Sequence, residues 1–220
     1  MMKNEIIRQT ESGFHVEGYP DAIKLVRLDG HKARQVAHYA LHRSDFQFAL
    51  HCLDSINAAA NPVMQEALWQ SAIVHFIKCF KGASARTTSL DRRVIFKHNA
   101  PALAAFKYFD DLRDKHTIHD ENSYTQSIPC AAINGGGKAY KVERIFALSL
   151  TGVTLEQSNF NNLHLLVTQA LSWLESKFND MCDDLTKDLE REPLETLLAR
   201  DQVTSTAPQL SEIGERRKGF

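Results

Sequence analysis

The stretch VMQEALWQSAIVHFIKCFKG, residues 63–82, is apolar on nearly every side of a helical wheel and stops at Gly82. A helix that is hydrophobic all round must be enclosed by other elements, so this pattern predicts a central buried helix. The AAANP run (58–62) sets its start, because Pro62 suits a first helical turn. Upstream, Phe46, Ala49, Leu50, Leu53 and Ile56 repeat at helical spacing through residue 57, and Ser44 is a candidate N-cap. Downstream, Ser89 opens a shorter helix, LDRRVIFKH, and Pro101 opens PALAAFKYFDDLRDKHTIH, whose Leu103, Phe106, Phe109 or Asp110, and Leu112 turn toward a core.

Farther out the periodicity changes. SIPCAAINGGGKAYKVERIFALSL (127–150) alternates around NGGGK, which reads as a β-hairpin at about 126–150. GGGK is not a phosphate loop, since the GxxxxGK[ST] spacing is absent and Ala139 stands where the hydroxyl belongs. Leu163, Leu166, Val167, Ala170, Leu171, Leu174 and Phe178 then mark a long amphipathic helix over about 159–190, with an acidic, solvated end. The expected fold is mainly α: one helical bundle over 44–200 with a small β-hairpin insertion and no internal repeat.

The ends are less regular. GFHVEGY (13–19) reads as a short strand. In IKLVRLDGHKARQV (23–36), Asp29-Gly30 between stretches of similar length signals an N-terminal β-hairpin over 23–34, with helix starting after it. Read as a helix, the same segment would put Lys24, Arg27, His31, Arg34, His38 and His42 on one basic stripe. Residues 1–43 are thus an N-terminal extension, and the polar stretch 201–220 is expected to be a disordered tail.

Composition narrows the function. The chain has 220 residues, 43% hydrophobic and 24% charged, with a formal net charge of −1. That is ordinary for a globular protein, and no global field draws it toward nucleic acid or anionic lipid. Cys52, Cys79, Cys130 and Cys182 show neither a CxxC nor paired spacing, which excludes zinc knuckles and a disulfide framework. The N-terminus has no apolar signal region and no run reaches membrane-spanning length, so the expectation is a cytoplasmic protein without membrane contact.

One polar cluster stands out: DLRDKHTIHDEN, residues 111–122. On a helix, Arg113, His116, His119 and Asp120 fall on one half of the surface and can edge a groove. Arg113-Asp114, four residues, then His119 resembles the R-[polar]-x4-H motif of the HEPN superfamily, all-helical domains that include metal-independent endoribonucleases of bacterial toxin–antitoxin and phage-defence systems. The resemblance spans about 44–190 and extends to the branch with a hairpin before the last long helix.

It implies a homodimer that sets two motifs across one cleft, an RNA or nucleotide ligand, no cofactor and no metal, and a candidate antitoxin partner. It makes His119 the acid/base, Arg113 the phosphate clamp, Asp114 an orienting group and His116 a lesser candidate. The chemistry fits these residue types. An imidazole titrates near neutral pH and a guanidinium forks onto phosphate oxygens, while the ribose 2′-OH supplies the nucleophile. Arg86, Arg92, Arg93 and Lys97 are candidate backbone contacts.

Simpler readings compete. Arg113 with Asp110, Asp114 or Asp120 can be helix ion pairs of ~0.2–0.5 kcal/mol each, and His119 can be a C-terminal dipole partner. His116, His119 and Asp120 as zinc ligands lack a further ligand at useful spacing. His75 reads as a hydrogen-bonded core histidine, and Trp69, Phe76 and Phe80 read as core.

Overall fold

The computed structural model describes residues 7–10, 13–16, 18–58, 61–82, 86, 89–119, 121–203 and 209–215. The chain is mainly helical. Strands β1 (Ile7–Thr10) and β2 (Gly13–Val16) precede α1 (His31–Ile56), α2 (Pro62–Lys78), α3 (Arg92–Ile95) and α4 (Ala100–Leu112). A π-helical turn, Arg113–Ile118, extends α4. Then come β3 (Thr125–Ile133), β4 (Val142–Thr151), α5 (Gln157–Leu189), α6 (Leu194–Ala199) and a 3-10 turn, Leu210–Gly214. Two compact units emerge: residues 41–175, and residues 1–40 with 176–220.

The larger unit holds the core. Asn61 accepts a bond from the Met64 N–H at 2.9 Å, and Pro62 occupies the first turn, so α2 begins where the sequence places it. Trp69, Ile73, Phe76 and Ile77 are buried, as an all-round apolar helix requires. Their ring partners come from its neighbours: Phe80 meets Phe106 at 4.7 Å and Phe76 at 5.2 Å, and Trp69 meets Phe109 edge-on at 5.9 Å. Such tilted geometries favour the aromatic quadrupoles beyond simple area burial. Leu163, Leu166, Val167, Ala170 and Leu174 of α5 are buried too.

Several sequence expectations need correcting. Residues 31–34 are not in a hairpin: α1 runs unbroken from His31, so Ser44 is helix interior rather than a cap. Asp29-Gly30 does turn the chain, with Gly30 at φ +98, but the turn feeds the first helical bond, Arg34 N–H to Gly30 C=O at 3.2 Å. The N-terminal hairpin lies earlier, pairing Ile7 with Val16 through Thr10 with Gly13. Of that stripe, Lys24 and Arg27 precede α1, His31 and Arg34 are exposed on it, and His38 and His42 are buried at 3% and 1% exposed. Asp91, not Ser89, caps α3 by accepting from the Arg93 N–H.

The smaller unit ties chain ends together. Val26 bridges Gln202, with Arg27 N–H to Asp201 C=O at 2.7 Å and Val203 N–H to Leu25 C=O at 3.0 Å. Lys24 Nζ donates to the carbonyls of Leu198 and Arg200 at 2.6 and 2.8 Å, satisfying acceptors left over at the end of α6. In the predicted tail, Gln209 and Glu212 form a capping box on Leu210–Gly214; residues 204–208 and 216–220 lie outside the described residues.

Candidate functional site

Asn99 opens α4 by accepting from the Ala102 N–H at 3.0 Å, and Phe106, Phe109 and Leu112 bury its inner face. At Arg113 the helix widens to i→i+5 bonding through Ile118. Such turns are rare in helices and concentrate at functional positions. Two local bonds close it off: Thr117 Oγ1 donates to the Leu112 carbonyl at 3.4 Å, and the Glu121 N–H donates to the Lys115 carbonyl at 2.6 Å.

The widened turn carries Arg113 and Asp114 of the motif, and His119 follows it directly. Arg113 Nη1 donates to Asp114 Oδ1 at 2.6 Å, while Lys81 Nζ reaches Asp114 Oδ2 at 2.8 Å and Asp110 Oδ1 at 2.5 Å. Asp110 Oδ2 lies 3.5 Å from Arg92, whose guanidinium sits 5.1 Å above the Phe106 ring. Three cations and two carboxylates thus alternate along one line, leaving a surplus positive charge. Bonds from Lys81 and then Arg113 hold the Asp114 carboxyl below its ordinary range. Partial burial opposes the Lys81 charge, yet bonds from Asp110 and Asp114 outweigh it and raise that ammonium. A groove of about 430 Å³ opens beside this line, walled by Phe80, Lys81, Asp91, Arg92, Arg93 and Asp110.

Two buried atoms in the turn lack partners: Arg113 Nε and His116 Nδ1. Buried polar atoms are normally satisfied, so these two nitrogens are exceptions within the turn. The His116 ring meets Tyr124 edge-on at 5.7 Å. Tyr124 is itself set by Gly152, where an added Cβ would fall 2.6 Å from Tyr124 Cδ1.

Arg113, Asp114 and His116 are therefore half-buried neighbours on the π turn. His119 caps that turn at φ −118, ψ −5, and is exposed. Among the described residues, no hydrogen bond, ion pair or ring contact joins it to Arg113, Asp114 or His116. Asp120 lies outside the described residues. Sequence reasoning missed Lys81 and Tyr124, which reach the motif from other elements and carry no local signal. Arg92, expected as a backbone contact, pairs with Asp110.

Arg86 is committed elsewhere. Its Nη1 meets Asp45 Oδ2 at 2.6 Å and His42 Nδ1 at 3.2 Å. Asp45, 6% exposed, also pairs with His75 at 2.8 Å and Lys78 at 3.1 Å. Burial pushes its carboxyl up, but the bonds from Arg86, His75 and Lys78 together bring it below the ordinary value. Arg93 and Lys97 remain exposed cations. Comparison of the chain with protein-family models, curated proteins and solved structures finds no match.

Proposed function

We propose that this protein is a metal-independent endoribonuclease of HEPN type, acting on RNA as a homodimer in the cytoplasm, within a toxin–antitoxin or phage-defence system. The observation that carries the reading is the π turn, which gathers Arg113, Asp114 and His116 on one widened turn with His119 directly after it. A phosphodiester is a ligand such a group of residues suits, because its oxygens accept from N–H groups and its charge matches the guanidinium.

In this reading a ribose 2′-oxygen attacks the adjacent phosphorus while His119, exposed at the end of the turn, takes the hydroxyl proton. The P–O5′ bond breaks and the leaving oxygen receives a proton from an imidazolium, that of His116 or of the second copy's motif. The products are a 2′,3′-cyclic phosphate and a 5′-hydroxyl. Arg113 holds the non-bridging oxygens as their charge grows. Asp114 orients Arg113, and Arg93 and Lys97 supply backbone contacts.

A second reading is a catalytically silent RNA- or nucleotide-binding dimer. The 2.6 Å Arg113–Asp114 bond favours it, since an arginine already neutralised is a weaker transition-state clamp.

Cleavage of RNA in EDTA tests the proposal. Arg113→Ala and His119→Ala should each lower the rate at least ~10²-fold with unchanged melting temperature. A substrate carrying 2′-deoxy at the cut site should survive intact. Scission of that substrate would exclude the sugar nucleophile, and binding without any cleavage would select the second reading.

A further inference from the structure

Two kinds of surface flank Arg113. Residues three apart on a helix are neighbours and residues two apart are not, so Arg113 stands between Asp114 on one side and His116 on the other. The Asp114 side is charged: Lys81 reaches it at 2.8 Å and continues to Asp110. The His116 side is aromatic, because the Tyr124 ring meets the imidazole edge-on at 5.7 Å. A nucleotide has the same two parts, an anionic phosphate and a flat base with apolar faces.

The backbone at Tyr124 is tied on both sides, at the base of the β3–β4 hairpin. Its N–H donates to Asn122 Oδ1 at 3.1 Å, and its carbonyl accepts from the Gly152 N–H at 2.6 Å, just before Thr125 pairs with Thr151. Gly152 also leaves the ring its place, since a Cβ there would fall 2.6 Å from Tyr124 Cδ1. The ring is nonetheless 42% exposed. A lone exposed aromatic remote from any site needs no explanation. This one lies against the motif on an anchored backbone, which lowers the ordering cost of anything that stacks on it.

Every base has a π face, and stacking on aromatic side chains is how proteins hold unpaired bases beside cations that track the backbone. Bases inside a duplex already stack on one another and offer no such face.

We propose that Tyr124 is the stacking platform for an unpaired nucleobase of the RNA whose phosphate Arg113 holds, so that the substrate is single-stranded at the motif. This rests on the reading above that RNA is the motif's ligand.

Anisotropy of a labelled 2′-O-methyl oligoadenylate, which offers no 2′-hydroxyl to attack, tests it on the full chain. The strand is measured alone and annealed to 2′-O-methyl oligouridylate. Tyr124→Leu deletes the ring and keeps apolar bulk; it should weaken strand binding about 10-fold or more and leave duplex binding unchanged. Tyr124→Phe keeps the ring and should bind the strand as wild type does. In the unaltered chain, adenosine 3′-monophosphate should move the Tyr124 ring proton resonances upfield, a readout that needs no variant to fold. Absence of strand binding, a strand affinity untouched by Tyr124→Leu, or equal losses for strand and duplex would overturn the proposal. So would a Phe variant as weak as the Leu variant, or Tyr124 resonances that stay fixed. Cleavage of unmodified RNA is read separately. RNA bound through the ring yet left intact supports the platform and removes the nuclease, whereas equal cutting by wild type and Tyr124→Leu removes the platform and keeps the nuclease.

Discussion

Asp114 lies between Arg113, bonded at 2.6 Å, and Lys81, bonded at 2.8 Å from a different element. The arginine is thereby fixed in place and also neutralised, and these two effects have opposite consequences for an anionic ligand. Asp114→Asn separates them, because the amide oxygen still accepts one bond while the negative charge is gone. Single-stranded RNA should bind more tightly to the variant. Its salt dependence should steepen by about 0.7 in log–log slope for each further phosphate the protein neutralises. Fluorescence anisotropy across a salt series checks this, with Arg113→Ala as the baseline. Weaker binding by Asp114→Asn would mean that orientation outweighs charge.

The Asp45 cluster predicts an acid limb of stability. Its carboxyl is lowered from an ordinary 3.8, so the folded state releases that proton more readily than the unfolded chain does. The associated stability is fully present above the unfolded value and fades as pH falls through the folded one. Asp45→Ala should cost roughly 3–5 kcal/mol at neutral pH, because it strands Arg86, whose side chain is 12% exposed, without its main partner. Urea titrations at several pH values should show the variant's deficit shrinking below about pH 4. A deficit that stays constant down to pH 2 would assign the loss to packing.

Much of the bundle is legible in the sequence because local signals and burial agree there. Pro62 and Pro101 sit in the first turns of the helices they open, and the apolar periodicities of 63–78 and 163–174 become core. Disagreement arises where one local signal has two physical outcomes. Asp29-Gly30 supplies a positive-φ turn, which can open a hairpin or deliver a chain into a helix, and only contacts decide which. Ser44 has a cap's chemistry, yet α1 passes straight through it. The motif on 113–119 is visible as a string. The widening of the helix beneath it, and the supply of Lys81 and Tyr124 from distant segments, depend on tertiary packing that a window of neighbours does not contain.

Gly152 predicts a coupling between the hairpin base and the motif. A methyl there would meet the Tyr124 ring at 2.6 Å, and that ring lies against His116. Because Tyr124 is 42% exposed, its ring can swing away, so Gly152→Ala should cost under ~1.5 kcal/mol, at the low end of overpacking costs. The His116 ring proton resonances should shift, since the aromatic edge beside them has moved. In a Tyr124→Ala background the same substitution should leave His116 unaffected. Equal shifts in both backgrounds would show that Gly152 acts on the turn by another route.

The indole of Trp69 predicts how firmly the segment after β4 is anchored. Its Nε1–H donates to Thr154 Oγ1 at 3.0 Å, with Trp69 fully buried and Thr154 3% exposed. Thr154→Val keeps the shape and deletes the acceptor, leaving a buried donor without a partner at a cost of about 1–3 kcal/mol. For a chain of this size, each kcal/mol lowers the melting temperature by about 2–4 °C. Thr154→Ser keeps the hydroxyl and should recover most of the loss. If the Ser variant melts below the Val variant, the methyl contact rather than the hydrogen bond holds this segment to α2.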